Sequence, residues 1–182
     1  MRVLLSAEQI RVRIHELAAE IGACYERQPV TLLGVLTGSL MFVADLVRQL
    51  DLPLRIAFIQ ASSYRGTTTD PGELYLGPAL IPDVRGRHVL LLDDILDTGR
   101  TLARVRQLVS DWQPASLKIA VLLRKQGRQV VPLEPDFCGF TIPNCFVVGY
   151  GLDYNDEYRH LPFVAVLDGS VTDAPESARD RT

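Results

Sequence analysis

With 182 residues, 47% hydrophobic and 23% charged, the chain has enough apolar material for one core and no compositional reason to divide. A formal charge of −3 with no Lys/Arg block argues against a nucleic-acid surface as the main function, since such a surface needs concentrated positive charge. Cys24, Cys138 and Cys145 lack disulfide-like or zinc-like spacing, Met1–Leu5 is too short an apolar stretch for a signal peptide, and no run reaches the ~18 residues of a spanning helix, so a soluble, cytoplasmic protein is expected.

In chain order, Ser6-Ala7-Glu8-Gln9 reads as a capping box. Ile10, Ile14, Leu17 and Ile21 follow at helical spacing, which predicts an amphipathic helix to about Tyr25. Val30–Leu36 is a buried strand by its unbroken apolar character. Gly38-Ser39 turns it into a helix with Phe42, Val43, Leu46 and Val47 inward, closing near Leu50, and Leu54–Ile59 follows as a second strand. Such a βαβ unit closes right-handed into a parallel sheet that binds ligands at its strand C-termini.

Residues 62–82 are rich in Gly, Thr and Pro without periodicity, and their place after a strand reads as a lid. A strand over Val89–Leu92 and a helix whose apolar residues start at Leu102 come next. Pro114 breaks the chain, and Lys118–Leu123 is a further parallel strand. From Pro132 to about Asp168, Pro132, Pro135 and Pro143 interrupt short extended pieces, read as a small hood over the site within a single domain, 1–168. Residues 169–182 are polar and read as a flexible tail. His15, His88 and His160 lie far apart in sequence and receive no chemical role.

The most informative run is Val89-Leu-Leu-Leu-Asp93-Asp94-Ile-Leu-Asp97-Thr98-Gly99-Arg100-Thr101-Leu102. A strand covered on both faces delivers acids at its C-terminal end, and Asp97 to Thr101 form the strand-to-helix turn. Orphan N–H groups and the helix dipole make that turn an anion site. Gly99 allows close backbone approach, and Thr98 and Thr101 add hydroxyl donors. Asp93 and Asp94 would repel a phosphate unless something lay between, either vicinal sugar hydroxyls or Mg²⁺. A pentose 5-phosphate satisfies both halves. No G-x-G-x-x-G follows the first strand and no G-x-x-x-x-G-K-[S/T] occurs, which sets a dinucleotide or P-loop module aside.

Here the chain resembles the type I phosphoribosyltransferases, whose signature of an apolar strand, two acids, two apolar residues and Asp-[Thr/Ser]-Gly-x-Thr stands as Asp93 to Thr101. It is similar in particular to the purine salvage branch, which uses hypoxanthine and guanine. Leu36-Thr37-Gly38-Ser39, Ser63-Tyr64 and the long run Phe146-Val147-Val148-Gly149-Tyr150-Gly151-Leu152-Asp153-Tyr154 recur in the right order, and the likeness extends from about Ser6 to Asp168. It implies an α/β fold with a central, mostly parallel sheet flanked by helices and a small C-terminal hood. The implied reaction is Mg²⁺-dependent transfer of the phosphoribosyl group from 5-phosphoribosyl-1-diphosphate (PRPP) to N9 of a 6-oxopurine. A homodimer or homotetramer is implied as well, with no nucleic acid or membrane partner.

The resemblance also implies roles. Asp93, Asp94, Asp97, Thr98, Gly99, Arg100 and Thr101 would hold the ribose and 5-phosphate, with Asp97 under the purine as general acid/base at N7. Thr37, Gly38 and Arg159 would hold pyrophosphate, in a turn that often contains a non-proline cis peptide. The family frequently has Lys or Arg where this chain has Thr37, so backbone contacts are kept and a cationic side chain is lost. Lys125 would donate to the purine O6, which selects a carbonyl over the amino group of adenine. Phe146 would stack on the base, Val147 would read its edge through backbone groups, and Asp153 would hold Mg²⁺ with Asp93 and Asp94 or lie near the 2-substituent. Ser63 and Tyr64 would close the lid. Two alternatives remain on the same fold. One is a xanthine-preferring enzyme. The other is a regulatory nucleotide- and RNA-binding protein of the pyrimidine-operon type, which usually carries Tyr at the position of Asp97 and needs a basic face.

Overall fold

The structure is a computed structural model that describes residues 1–61 and 83–167. Ser6 opens the first helix as the sequence predicts. Its Oγ accepts the Gln9 N–H at 3.2 Å while Gln9 Oε1 accepts the Ser6 N–H at 2.8 Å, so two orphan donors are satisfied reciprocally. Helix α1 then runs Ala7–Tyr25 and ends where Glu26 enters the left-handed region at φ 47°.

Strand β1 (Arg2–Leu5) precedes α1. After it come β2 (Val30–Leu36), α2 (Leu40–Val47), β3 (Leu54–Gln60), β4 (His88–Leu96), α3 (Arg100–Asp111), β5 (Ser116–Lys125), β6 (Phe137–Ile142), β7 (Val147–Val148) and β8 (Val164–Val166). Five of these strands form a parallel sheet in the order β3-β2-β4-β5-β6. β2, β4 and β5 read as continuous apolar runs because the sheet is covered on both sides. Successive residues point to opposite faces. Leu32, Leu90, Leu92 and Leu122 join Ile10, Ile14, Leu17, Ile21, Phe42 and Leu46 under α1 and α2. Leu33, Val89, Leu91, Ile119 and Val121 join Leu102, Val105 and Val109 under α3.

Two expectations are corrected. The hood does not comprise Pro132 to Asp168 as a block, because Phe137–Ile142 pairs parallel with β5 and forms the sheet's outer strand. The prolines lie outside that strand instead of breaking it. Gly139 lets it lie close to its neighbour, since a Cβ there would come 2.4 Å from the Leu122 carbonyl oxygen. The hood is a separate three-stranded antiparallel sheet, β1-β8-β7, in which the N-terminal Arg2–Leu5 pairs with Val164–Val166. Leu5, Val147, Tyr150, Leu152 and Val164 pack into the core beneath α1 and α2, which binds hood to body. The second correction is that β4 continues past Leu92 to Leu96, with Asp93 opposite Val121 and Leu96 opposite Arg124, so the acids lie within the paired strand. The expected lid, with Ser63 and Tyr64, and the expected tail lie outside the described residues.

The hood meets the body at one tight backbone contact. A Cβ on Gly151 would come 2.0 Å from the Gly38 carbonyl oxygen, and Gly151 has φ 98°, which L side chains rarely adopt. Gly151→Ala should therefore lose roughly 1–3 kcal/mol of stability through overpacking alone. Urea unfolding measures this, and an unchanged midpoint would mean that the hood can back away freely from the turn.

Candidate active site

Parallel pairing brings the ends of β2, β4 and β5 to one edge of the sheet, so Thr37-Gly38, Asp97-Thr98-Gly99 and Lys125 are neighbours although they are distant in sequence. The Leu36–Thr37 peptide is cis. Thr37 is exposed, and Ser39 is fully buried with its Oγ unpartnered.

Asp93 is 8% exposed, and its Oδ1 accepts the Asp94 N–H at 3.0 Å. The Asp94 carboxylate lies directly against the Thr37-Gly38 turn, because a Cβ placed on Gly38 would come within 1.7 Å of Asp94 Oδ2. Any side chain at residue 38 would displace that carboxylate. Burial, and then the neighbouring negative charge, hold Asp93 well above the usual carboxylate range. Burial also raises Asp94, against hydrogen bonds from its surroundings and the positive charge of Arg159. An acid pair of this kind, with Asp93 buried and Asp94 partly so, suits a divalent cation. Mg²⁺ is commonly held by one or two carboxylates together with substrate oxygens and water, without a closed protein cage.

Asp153 does not join that pair. Its Oδ1 lies 2.7 Å from Arg159 Nη2, and its Oδ2 accepts the Asp156 N–H at 3.0 Å. Among the described residues no three His, Cys, Asp or Glu side chains come together as a cation cluster. Arg159 also donates from Nη1 to the Gly151 carbonyl at 2.7 Å, which fixes its guanidinium next to the Gly151–Gly38 contact. The positions expected to hold pyrophosphate are thus brought together.

The Asp97–Thr101 segment forms the expected strand-to-helix turn. Gly99 has φ 82° and serves as N-cap of α3, whose first residues are Arg100, Thr101 and Leu102. The first N–H groups of a twelve-residue helix make an anion cradle there. The Thr98 carbonyl accepts from Val130 at 3.0 Å and Val131 at 3.2 Å, so the segment after β5 is clasped onto the turn. The sequence shows this clasp only as Gly127 closing a turn after a strand.

Asp97, half-buried, is held by two cations. Lys125 Nζ donates to Oδ2 at 2.9 Å and Arg128 Nε donates to Oδ1 at 3.1 Å. Phe146 is 40% exposed and is braced edge-on by Tyr154 with ring centroids 5.7 Å apart, while Val147 is buried beside it. Sequence reading missed Arg128 and Tyr154. It also missed the tether from Tyr150 Oη to Asp45 Oδ2 at 2.6 Å, which ties the hood to α2. Tyr150 and Tyr154 lie within the Phe146–Tyr154 run, but their partners, like that of Arg128, are set by tertiary packing and leave no trace in the spacing.

A parallel α/β sheet that brings an acid pair, a helix start and the Lys125–Asp97–Arg128 cluster to one edge suits a protein that handles a phosphorylated sugar. The family model of the phosphoribosyl transferase domain matches residues 4–155, and the chain belongs to that family. It is 42% identical over 170 residues to a hypoxanthine-guanine phosphoribosyltransferase of Streptococcus pneumoniae, covering 93% of this chain and 94% of that one. A hypoxanthine phosphoribosyltransferase of Haemophilus influenzae is 41% identical, covering 89% and 92%. Among solved structures, the Trypanosoma cruzi hypoxanthine phosphoribosyltransferase in a ternary substrates complex superposes with a TM-score of 0.86 at 40% identity, covering 93% of this chain and 96% of that one. A Bacillus anthracis hypoxanthine-guanine phosphoribosyltransferase gives 0.85 at 36%, covering 92% and 98%.

The acid pair has a consequence for stability. A carboxyl group with a raised native pKa binds its proton more tightly folded than unfolded, so stability falls as pH rises above the unfolded carboxylate range. In chelator-containing buffer near pH 7, Asp94→Asn should raise Tm and flatten that fall. A lower Tm, or an unaltered pH profile, would show that the pair is not a seat of repulsion.

Proposed function

We propose that this protein transfers the 5-phosphoribosyl group of PRPP to N9 of hypoxanthine or guanine, giving IMP or GMP and pyrophosphate in purine salvage. The observation that carries the choice of base is Lys125, whose Nζ lies 2.9 Å from Oδ2 of Asp97, the carboxylate that matches the family's general acid/base. Relatives named for hypoxanthine and guanine support the same reading.

In this assignment the bond from C1′ to pyrophosphate oxygen breaks and the bond from C1′ to N9 forms, while the proton on N7 passes to Asp97. Thr98, Gly99, Arg100 and Thr101 bind the 5-phosphate through helix-start N–H and hydroxyl donors. Asp93 and Asp94 would hold Mg²⁺ together with the ribose hydroxyls, and Asp153, paired with Arg159, would hold Mg²⁺ as well or lie near the purine's 2-substituent. When bound, the cation supplies Lewis-acid neutralisation of the leaving pyrophosphate. The backbone of Thr37-Gly38 and the guanidinium of Arg159 stabilise the same developing charge, where a planar fork suits phosphate oxygens. Thr37 supplies no cation, so that share falls to Arg159. Phe146 stacks on the purine, Lys125 donates to O6, and Val147 reads the base edge through its backbone. Ser63 and Tyr64 belong to this reading as the lid.

Assembly into a homodimer or homotetramer and a cytoplasmic setting are carried over in the same way. No helix among the described residues is long and apolar enough to cross a membrane. The RNA-binding alternative is not favoured, since Asp97 stands where such proteins usually carry Tyr.

The deciding assay follows nucleotide formation from hypoxanthine, guanine, xanthine, adenine and uracil in parallel, with PRPP and Mg²⁺. Hypoxanthine or guanine should react fastest, and preferential turnover of adenine or uracil would remove the role of Lys125. Asp97→Asn keeps the shape but loses the proton acceptor, so kcat should fall ~10²–10⁴-fold with PRPP affinity largely kept. Equal losses in both would make Asp97 a binding residue.

A further inference from the structure

The positive charge of Arg159 acts on Asp94 of the main sheet. Among the described residues, however, its hydrogen bonds and ion pairs run to Gly151, Asp153 and Asp156, all in the connection between β7 and β8. The guanidinium therefore moves with that connection. Its distance from the Thr37-Gly38 turn is set where the connection meets the turn and the helix α2 that follows it.

Two contacts of opposite kind make that join. The backbone of Gly151 abuts the Gly38 carbonyl, which limits approach but cannot resist separation. Further along, on α2, Asp45 Oδ2 accepts from the Tyr150 hydroxyl at 2.6 Å, a length typical of a charge-assisted O–H···O bond. The other oxygen of Asp45 is paired with Arg48, so the carboxylate is oriented from its own helix. Side-chain packing does not fill the space around this pair. Clefts of about 400 and 530 Å³ border it, both lined by Asp45, Arg48, Tyr150 and Pro162.

The backbone points the same way. Gly149, Tyr150 and Gly151 have φ of 96°, 51° and 98°, and a bulky side chain is uncommon and strained in that region. The Tyr150 N–H donates to the Leu161 carbonyl at 2.8 Å and the Gly151 N–H to the Arg159 carbonyl at 2.9 Å. Through these bonds, restraint at the Tyr150 hydroxyl reaches the segment that carries Arg159.

We infer that Tyr150 is a positioning residue for pyrophosphate, because its hydrogen bond to Asp45 keeps Arg159 close enough to the Thr37-Gly38 turn for guanidinium and backbone to grip one anion. This inference rests on the proposed function, which assigns both groups to pyrophosphate. The steric contact at Gly151 stops the connection from closing further, and the hydrogen bond stops it from opening.

The test titrates pyrophosphate into the protein in Mg²⁺-containing buffer by calorimetry and separately measures KM for PRPP and for hypoxanthine. Tyr150→Phe keeps the buried ring, and the Asp45 side chain, 40% exposed, can take water in place of the hydroxyl, so the fold should stand. This variant should weaken pyrophosphate binding and raise KM for PRPP by roughly twofold to thirtyfold, the reach of couplings carried through hydrogen-bonded neighbours. KM for hypoxanthine should change less. Asp45→Ala should reproduce the loss, and Asp45→Asn, which keeps a carbonyl acceptor, should stay near the wild type. In an Arg159→Ala background, Tyr150→Phe should add nothing, because the group it positions is gone. A merely structural role would lower Tm without this dependence on Arg159. Unchanged pyrophosphate affinity in Tyr150→Phe, or a full loss that persists without Arg159, would overturn the inference. Failure of the wild type to bind pyrophosphate or use PRPP would instead overturn the function on which it rests.

Discussion

Two adjacent carboxylates on a strand covered by helices are the constraint around which this molecule is arranged. Asp93 and Asp94 interrupt an apolar strand that would otherwise be pure core, and burial makes their charge costly. Such a cost is commonly met by a metal, a cationic side chain or a ligand. The protein supplies only a share of this through Arg159, which acts on Asp94 from a distance, and the remainder fits a cation and the hydroxyls of a sugar. Moving these acids to the surface would make them inexpensive and would also loosen their geometry.

The second constraint is steric. The Asp94 carboxylate, the Gly38 backbone and the Gly151 backbone lie in successive contact, so that two residues without side chains are stacked between the acid pair and the hood. Arg159 is bonded to the Gly151 carbonyl on the far side of that stack. The hood therefore does more than cover the edge of the sheet. It sets how near a fixed positive charge stands to the turn, which matters more in a chain whose Thr37 carries no charge of its own. The Tyr150–Asp45 hydrogen bond holds the hood to the helix that starts from the same turn. Burial and the neighbouring carboxylate push the Tyr150 phenol well above its ordinary pKa, so it stays a donor.

The proposed base site is assembled from three segments that share no secondary-structure element. Asp97 comes from the end of β4, Lys125 from the end of β5, and Phe146 from the start of the hood. Their mutual placement follows from the register of β4 on β5 and from the clasp of Val130 and Val131 on Thr98. The clasp also brings Arg128 to Asp97, which makes this carboxylate part of a small charge network with Lys125.

Much of this was legible in the residues themselves. The capping box at Ser6, the apolar run of β2, the strand-to-helix turn at Asp97–Thr101 and the helix after it follow from local periodicity and local hydrogen bonding, which a sequence carries explicitly. The continuation of β4 through Asp93 and Asp94 was not legible, because two acids look like the end of a strand until β5 is seen pairing with them. Nor was the membership of Arg2–Leu5 in the hood or of Phe137–Ile142 in the main sheet, since strand pairing across long separations leaves no periodic trace. Residue order alone fixes which chemical groups are present and gathers acids, a glycine and threonines at a strand end suited to phosphate and sugar. That Asp153 stands with Arg159 instead of with the acid pair, and that Arg128 shares Asp97 with Lys125, emerges in three dimensions alone. Those pairings depend on distances between side chains from different elements, which are set by packing and register and not by spacing along the chain.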